Sequence, residues 1–154
     1  MRRTSFAAMP CSVARTLEVV GEWWSLLVLR DAFKGVRRFD DFQRSLGIAR
    51  NILADRLASL VEHGVLERRL YQERPERFEY RLTQKGLDLY PVIVALLRWG
   101  DHWATDDIGP PLVLSHKACG HDGVPVMVCP TCREPVDARA MRWRPREEPA
   151  AVEA

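Results

Sequence analysis

The sequence predicts a mainly helical fold carrying a β-hairpin, followed by a small Cys/His-bearing β appendage. Three observations lead there. Apolar residues recur at helical spacing through several segments that each stop at a glycine, down to Gly64. The period then changes to two across residues 65–83. Finally, Cys and His residues cluster in "HKACGHDGVPVMVCPTC", residues 116–132.

The elements follow in order. "SVARTLEVV" (12–20) reads as a short helix with Ser12 as a candidate cap and Gly21 as its end. "WWSLLVLRDAF" (23–33) is densely apolar and long enough for a buried helix, closed by Gly35. "RFDDFQRSL" (38–46) puts Phe39, Phe42 and Leu46 on one helical face before Gly47. A helix over about 49–63 follows, with Leu53, Leu57, Leu60 and Val61 facing inward and Gly64 after it. "VLERRLYQ" (65–72) and "RFEYRLT" (77–83) are strand-like, and "ERPE" (73–76) reads as the hairpin tip between them. Thr83 is a plausible cap for a long apolar helix over 84–104, which Pro91 should kink unless it lies near the first turn.

Two helices joined by a tight turn make a helix-turn-helix, whose second helix can enter the major groove of DNA. Helix 38–46, the Gly47 turn and helix 49–63 supply that pair, and the hairpin behind them is positioned as a wing. The expected fold is therefore a winged helix-turn-helix over residues 1–106, a small ribbon-like appendage over 107–145, and a disordered, proline-containing tail over 146–154.

Charge is compatible with this reading. The net charge of +2 is uneven: residues 1–104 hold 17 Lys+Arg against 13 Asp+Glu, and residues 105–154 hold 6 against 8. The mild basic excess of the larger part permits an anionic partner without demanding one. Only Lys34, Lys85 and Lys117 are lysines; a GC-rich genome that codes Arg over Lys is the favoured reading of that bias, beside the fit of arginine's planar fork to phosphate and guanine. No run approaches a membrane span, and the start "MRRTSFAAMPCSVAR" lacks the apolar region of a secretion signal. Four cysteines without such a signal suggest reduced thiols in the cytoplasm, and no membrane partner is expected.

The segments "CSVARTLEVVGEWWSLLVLRDAFKGVRRFDDFQRSLGI" (11–48), "LADRLASLVEHGVLERR" (53–69) and "RFEYRLTQKG" (77–86) resemble the HxlR family of bacterial winged-helix transcription regulators, close to MarR-like proteins. The likeness covers most of residues 11–104. It implies a homodimer that binds a pseudo-palindromic double-stranded DNA operator and pairs through the first and last helices of the core. Two positions depart from the family pattern: Ala49 stands where a small hydroxyl residue usually caps the recognition helix, and Ser12 where a proline often follows the cysteine. Alanine cannot cap, which leaves about 1 kcal/mol of helix-end stability unrealised.

The candidate DNA-reading residues lie on the outward face of helix 49–63. Arg50 and Asn51 occupy its first turn, suited to guanine and adenine respectively, and Ala54 is small enough for close approach. Arg74 and Arg77 flank the wing tip, and Arg37 and Arg38 precede the first helix of the pair; these are candidate phosphate contacts. A merely solvated face is the competing reading, especially at the wing, where Glu73, Glu76 and Glu79 interleave.

Cys11 stands at the mouth of the first helix, where a thiol pKa is lowered, and some members of the resembled family sense electrophiles or oxidants with a cysteine near this position. A small buried residue at the dimer seam explains Cys11 equally well. In the tail, His116-x2-Cys119 and Cys129-x2-Cys132 have knuckle spacing with nine residues between, matching one structural Zn per chain; His121 competes with His116. "PLVLSH" (111–116) and "VPVMVC" (124–129) read as the strands leading into each knuckle. Free thiols or a Cys129–Cys132 disulfide are the alternatives.

The expected function is sequence-specific transcription regulation by a dimer on an operator, with a small-molecule or oxidant effector left open. The alternative is a redox- or ligand-responsive switch that acts through a protein partner. Enzyme readings rank last. "CPTC" as a thiol oxidoreductase pair needs a following helix, yet Pro135 stands three residues on and few residues remain; a zinc deaminase needs H-x-E, and "HDG" has no glutamate. No catalytic residues are expected.

Overall fold

A computed structural model describes residues 5, 6, 8–104 and 109–144. The expected disordered tail at 146–154 lies outside the described residues. The chain divides into two compact units, Met1–Ile108 and Gly109–Ala154.

In the first unit the helices α1 (Ser12–Val20), α2 (Trp23–Phe33), α3 (Phe39–Leu46) and α4 (Arg50–Glu62) precede the hairpin β1 (Leu66–Glu73) and β2 (Glu76–Leu82), and α5 (Gln84–Leu87) and α6 (Tyr90–Trp103) follow it. The fold is mainly helical with a two-stranded antiparallel sheet, as a winged helix-turn-helix requires. The core forms where the apolar stripes of α2, α3 and α4 meet the base of the hairpin. Val28, Leu29, Phe42, Ile48, Leu53, Leu57, Leu60 and Val65 pack there with almost no exposure. Ile48, in the turn between α3 and α4, anchors that turn in the core, and Gly47 closes α3 in the left-handed conformation (φ 62°) that a side chain would disfavour.

The expected long helix over 84–104 is two helices. Thr83 Oγ1 accepts from the Gly86 N–H (3.2 Å) and donates to the Gly64 carbonyl (2.7 Å), so one hydroxyl caps α5 and ties it to the end of α4. The chain then breaks at Asp88–Leu89, and Pro91 sits in the first turn of α6, where its missing N–H costs nothing. Gly86 is buried, and a Cβ there would lie 2.3 Å from the Val65 carbonyl oxygen; the glycine allows α5 to cross the start of the wing.

In the second unit the expected strands are reduced to isolated bridges, Ser115↔Asp122 and Val128↔Pro135, each inside a tight turn. Prolines at 110, 111, 125, 130 and 135 withdraw the N–H groups that a longer ladder would need.

Candidate nucleic-acid interface

α4 begins at Arg50 with Ala49 as its cap residue. Ala49 has the extended backbone of a cap (φ −62°, ψ 138°) and no side-chain hydrogen bond, as its methyl group dictates. Arg50, Asn51 and Ala54 are all exposed on the face opposite Leu53, Leu57 and Leu60. The Arg50 guanidinium lies over the Phe39 ring, 4.7 Å from its centroid, and 3.8 Å from the Asp40 carboxylate. Both charged side chains are about three-quarters exposed, at 73% and 74%, so the ion pair is worth under about 1 kcal/mol and releases Arg50 readily to a stronger anion.

Arg37 and Arg38 do more than precede α3. The Arg37 carbonyl accepts from the Tyr80 N–H (2.8 Å), and Arg38 forms an isolated antiparallel bridge with Glu79, so this segment is tied to the edge of β2. Arg38 stacks over the Tyr71 ring at 4.7 Å. Tyr71 reaches that position because it is the extra residue of a bulge: Leu70 pairs with Phe78 and Gln72 with Arg77, leaving Tyr71 unopposed. Arg68, two ladder positions before the Leu70–Phe78 pair, packs its guanidinium over the Phe78 ring, 3.4 Å from its centroid. Arg74 is exposed at the tip, and its carbonyl accepts from the Gln72 side-chain amide (3.0 Å).

These pieces enclose an open groove between the N-terminal ends of α3 and α4 and one face of the wing. Five arginines (38, 44, 50, 68 and 77) line it against three carboxylates (40, 41 and 76), so its walls are net positive. The structure therefore brings Arg38, Arg50 and Arg77 to one concave surface, with Arg74 beyond it at the wing tip. Arg44, Arg68 and Tyr71 belong to the same surface and escaped the sequence reading. Period-two alternation in "LERRLY" could have marked Arg68 as sharing a wing face with Leu70; the bulge that redirects Tyr71 has no sequence signal.

Cys11 is the half-buried cap residue of α1, with an extended backbone (φ −139°) and no side-chain cap bond. In the second unit, His116 Nδ1 and Cys119 Sγ stand 3.2 Å apart. The Cys129 thiol is held below its ordinary pKa by N–H groups of Cys132 and Thr131, together with the Cys132 thiol, which favour the thiolate. Each expected ligand pair is thus formed within its own turn. The expected four-ligand cluster is not assembled, because among the described residues no group of three or more His, Cys, Asp or Glu is close enough to hold a metal ion. His121 supplies a backbone carbonyl, which accepts from the His116 N–H at 2.9 Å.

A helix-turn-helix whose second helix opens onto a basic groove, backed by a wing, is the architecture of DNA-binding transcription regulators. A family model of HxlR-like helix-turn-helix proteins matches residues 19–108, and the chain belongs to that family. It is 48% identical over 134 residues to an HTH-type transcriptional regulator of Mycobacterium tuberculosis, covering 87% of this chain and 85% of the relative. That stretch is longer than the whole first unit, so the likeness continues into the second. The crystal structure of PA1607, a candidate transcription factor, superposes with a TM-score of 0.81 at 39% identity, covering 92% of this chain and 99% of PA1607. The redox regulator HypR in its oxidized form gives a TM-score of 0.56 at 31% identity, covering 63% of this chain and 99% of HypR. The chain is a transcriptional regulator of helix-turn-helix fold, and its family and relatives point to no enzymatic activity. No helix among the described residues is long and apolar enough to cross a membrane.

Proposed function

We propose that the chain works in the cytoplasm as a homodimer on a pseudo-palindromic operator, with α4 in the major groove and the wing on the adjoining backbone. The observation that carries this reading is the net-positive groove joining the first turn of α4 to the wing. Arg50 and Asn51 read bases, and Ala54 permits close approach; Arg37, Arg38, Arg74 and Arg77 hold phosphates. Dimerisation is supported by an exposed stripe on α6: Val92, Leu96, Trp99 and Trp103 recur at steps of four, three and four residues, on one helical face. Val13 on α1 is likewise exposed, while Val94 turns into the chain's own core. Apolar area of that extent on a small protein marks an association surface.

Binding to duplex DNA as a function of salt tests the proposal. The affinity of the wild-type chain should fall steeply as salt rises. Arg50→Ala should cost about 1–3 kcal/mol and relax preference at one base position, whereas Arg74→Ala should weaken every sequence alike and flatten the salt dependence. Salt-independent binding, or identical behaviour of the two variants across a panel of operators, contradicts it.

A second reading adds an oxidant response through Cys11, favoured by the likeness to HypR, which is named a redox regulator, and by a thiol at a helix start. Cys11→Ser should then bind operator normally and ignore oxidant; equal responses in variant and wild type sink the idea.

A further inference from the structure

The described residues of the second unit form two ordered turns and no buried core. Of residues 109–144 none is buried, and only Gly109, Leu114 and Cys129 are even half-buried. Val113, Val126 and Met127 are exposed. Hydrophobic burial within this unit therefore does not account for its defined backbone.

The two turns are copies of each other, offset by thirteen residues. The His116 carbonyl accepts from the Gly120 N–H at 2.8 Å, and the Cys129 carbonyl from the Arg133 N–H at 2.9 Å. The His116 N–H donates to His121 O at 2.9 Å, and the Cys129 N–H to Glu134 O at 2.8 Å. Outside these, the Gly123 N–H donates to Leu114 O and the Val136 N–H to Met127 O, both at 2.9 Å. The bridges Ser115↔Asp122 and Val128↔Pro135 obey the same offset. So does the left-handed residue that ends each turn, Gly120 (φ 72°) and Arg133 (φ 64°). Arg133 is the only non-glycine with positive φ among the described residues, a conformation that costs an arginine on the order of 1 kcal/mol.

The repeat makes His116 equivalent to Cys129, and Cys119 equivalent to Cys132. It also separates the two histidines, since His121 matches Glu134, whose role is to offer a carbonyl. Two ligands of a tetrahedral zinc, one S at about 2.3 Å and one N at about 2.0 Å, lie about 3.5 Å apart. The His116–Cys119 pair, at 3.2 Å, is already near that spacing.

We infer that the two turns are the halves of one structural zinc site, with His116, Cys119, Cys129 and Cys132 as its ligands. Among the described residues no group of three or more His, Cys, Asp or Glu is placed to hold a metal ion. Zinc binding draws the two pairs together and supplies the stabilisation that burial does not. The three thiols bind as thiolates and release their protons to solvent, and the neutral imidazole completes a closed tetrahedron with no position open for catalysis. The second unit is thus held by metal rather than by a core.

The full-length chain, purified in reductant without added metal, tests this by elemental analysis and by cobalt titration after zinc removal. The expected result is one zinc per chain and a tetrahedral thiolate–cobalt spectrum. His116→Ala, Cys119→Ser, Cys129→Ser and Cys132→Ser should each weaken zinc by at least about tenfold against a chromophoric chelator, whereas His121→Ala should leave it unchanged. Cobalt binding to the stripped wild-type chain keeps the test independent of whether any variant folds. Less than about one-tenth of a zinc per chain with all thiols reduced overturns the inference. So do half a zinc per chain, a Cys129–Cys132 disulfide that persists in reductant, or loss of metal in His121→Ala with retention in His116→Ala.

Discussion

Ala49 and Gly86 show how single side chains set the limits of this fold. Ala49 already has the extended backbone of a helix cap but no group to accept from the first N–H groups of α4. Ala49→Ser should therefore raise stability by about 1 kcal/mol in chemical denaturation, the hydroxyl taking one of those N–H groups. An unchanged or lower midpoint would mean that the backbone there cannot present a capping oxygen. Gly86 has the opposite constraint. Its Cβ would meet the Val65 carbonyl at 2.3 Å, and the nearest obstacle is backbone that cannot rotate away. Gly86→Ala should cost about 1–3 kcal/mol through displacement of α5 from the wing, read as a lower denaturation midpoint. Ala49 is visible in the sequence, because the cap position is fixed by the helix that follows it. The Gly86 clash is not, because it depends on a carbonyl 21 positions away in the chain.

The helices before the wing are legible because α3 and α4 carry apolar stripes at helical spacing, α2 is a dense apolar run, and a glycine follows at or near each end of α1 to α4. The region after the wing is less so. An apolar run spans 84–104, and only the pairing of Thr83 with Gly86 and the position of Pro91 show that it holds two helices. Within the wing, alternation gives the strands but conceals the bulge at Tyr71 and the bridge that ties Arg38 to Glu79, both products of tertiary pairing. The consequence for recognition is concrete. Arg68 sits on the groove face of β1, stacked on Phe78. Arg68→Ala should lower affinity for all duplexes alike and reduce the slope of log K against log salt by about 1, as expected for one lost phosphate contact. A change in preference confined to one base position, with an unaltered slope, would assign Arg68 to base reading instead.

At the level of the whole molecule, the proposed dimer would make the apolar stripe of α6 and the basic groove act together. A single recognition helix reads few bases, and two-fold pairing doubles the site while fixing the spacing of its halves. Trp99 and Leu96, 63% and 51% exposed, are the strongest candidates for the pairing surface. The double variant Leu96→Asp, Trp99→Asp should sediment as a monomer and lose most operator affinity, since buried aromatic anchors of this kind are commonly worth 2 kcal/mol or more. The wild-type chain sedimenting as a monomer at micromolar concentration would remove the basis for this prediction. The most direct measurement is selection of bound duplexes from a random DNA pool by the purified full-length chain. Dimeric reading predicts enrichment of two inverted half-sites with centres about 10 base pairs apart, one turn of DNA, and loss of preference at one position in each half with Arg50→Ala. A pool that stays random after repeated rounds, or a single unpaired motif, would contradict it.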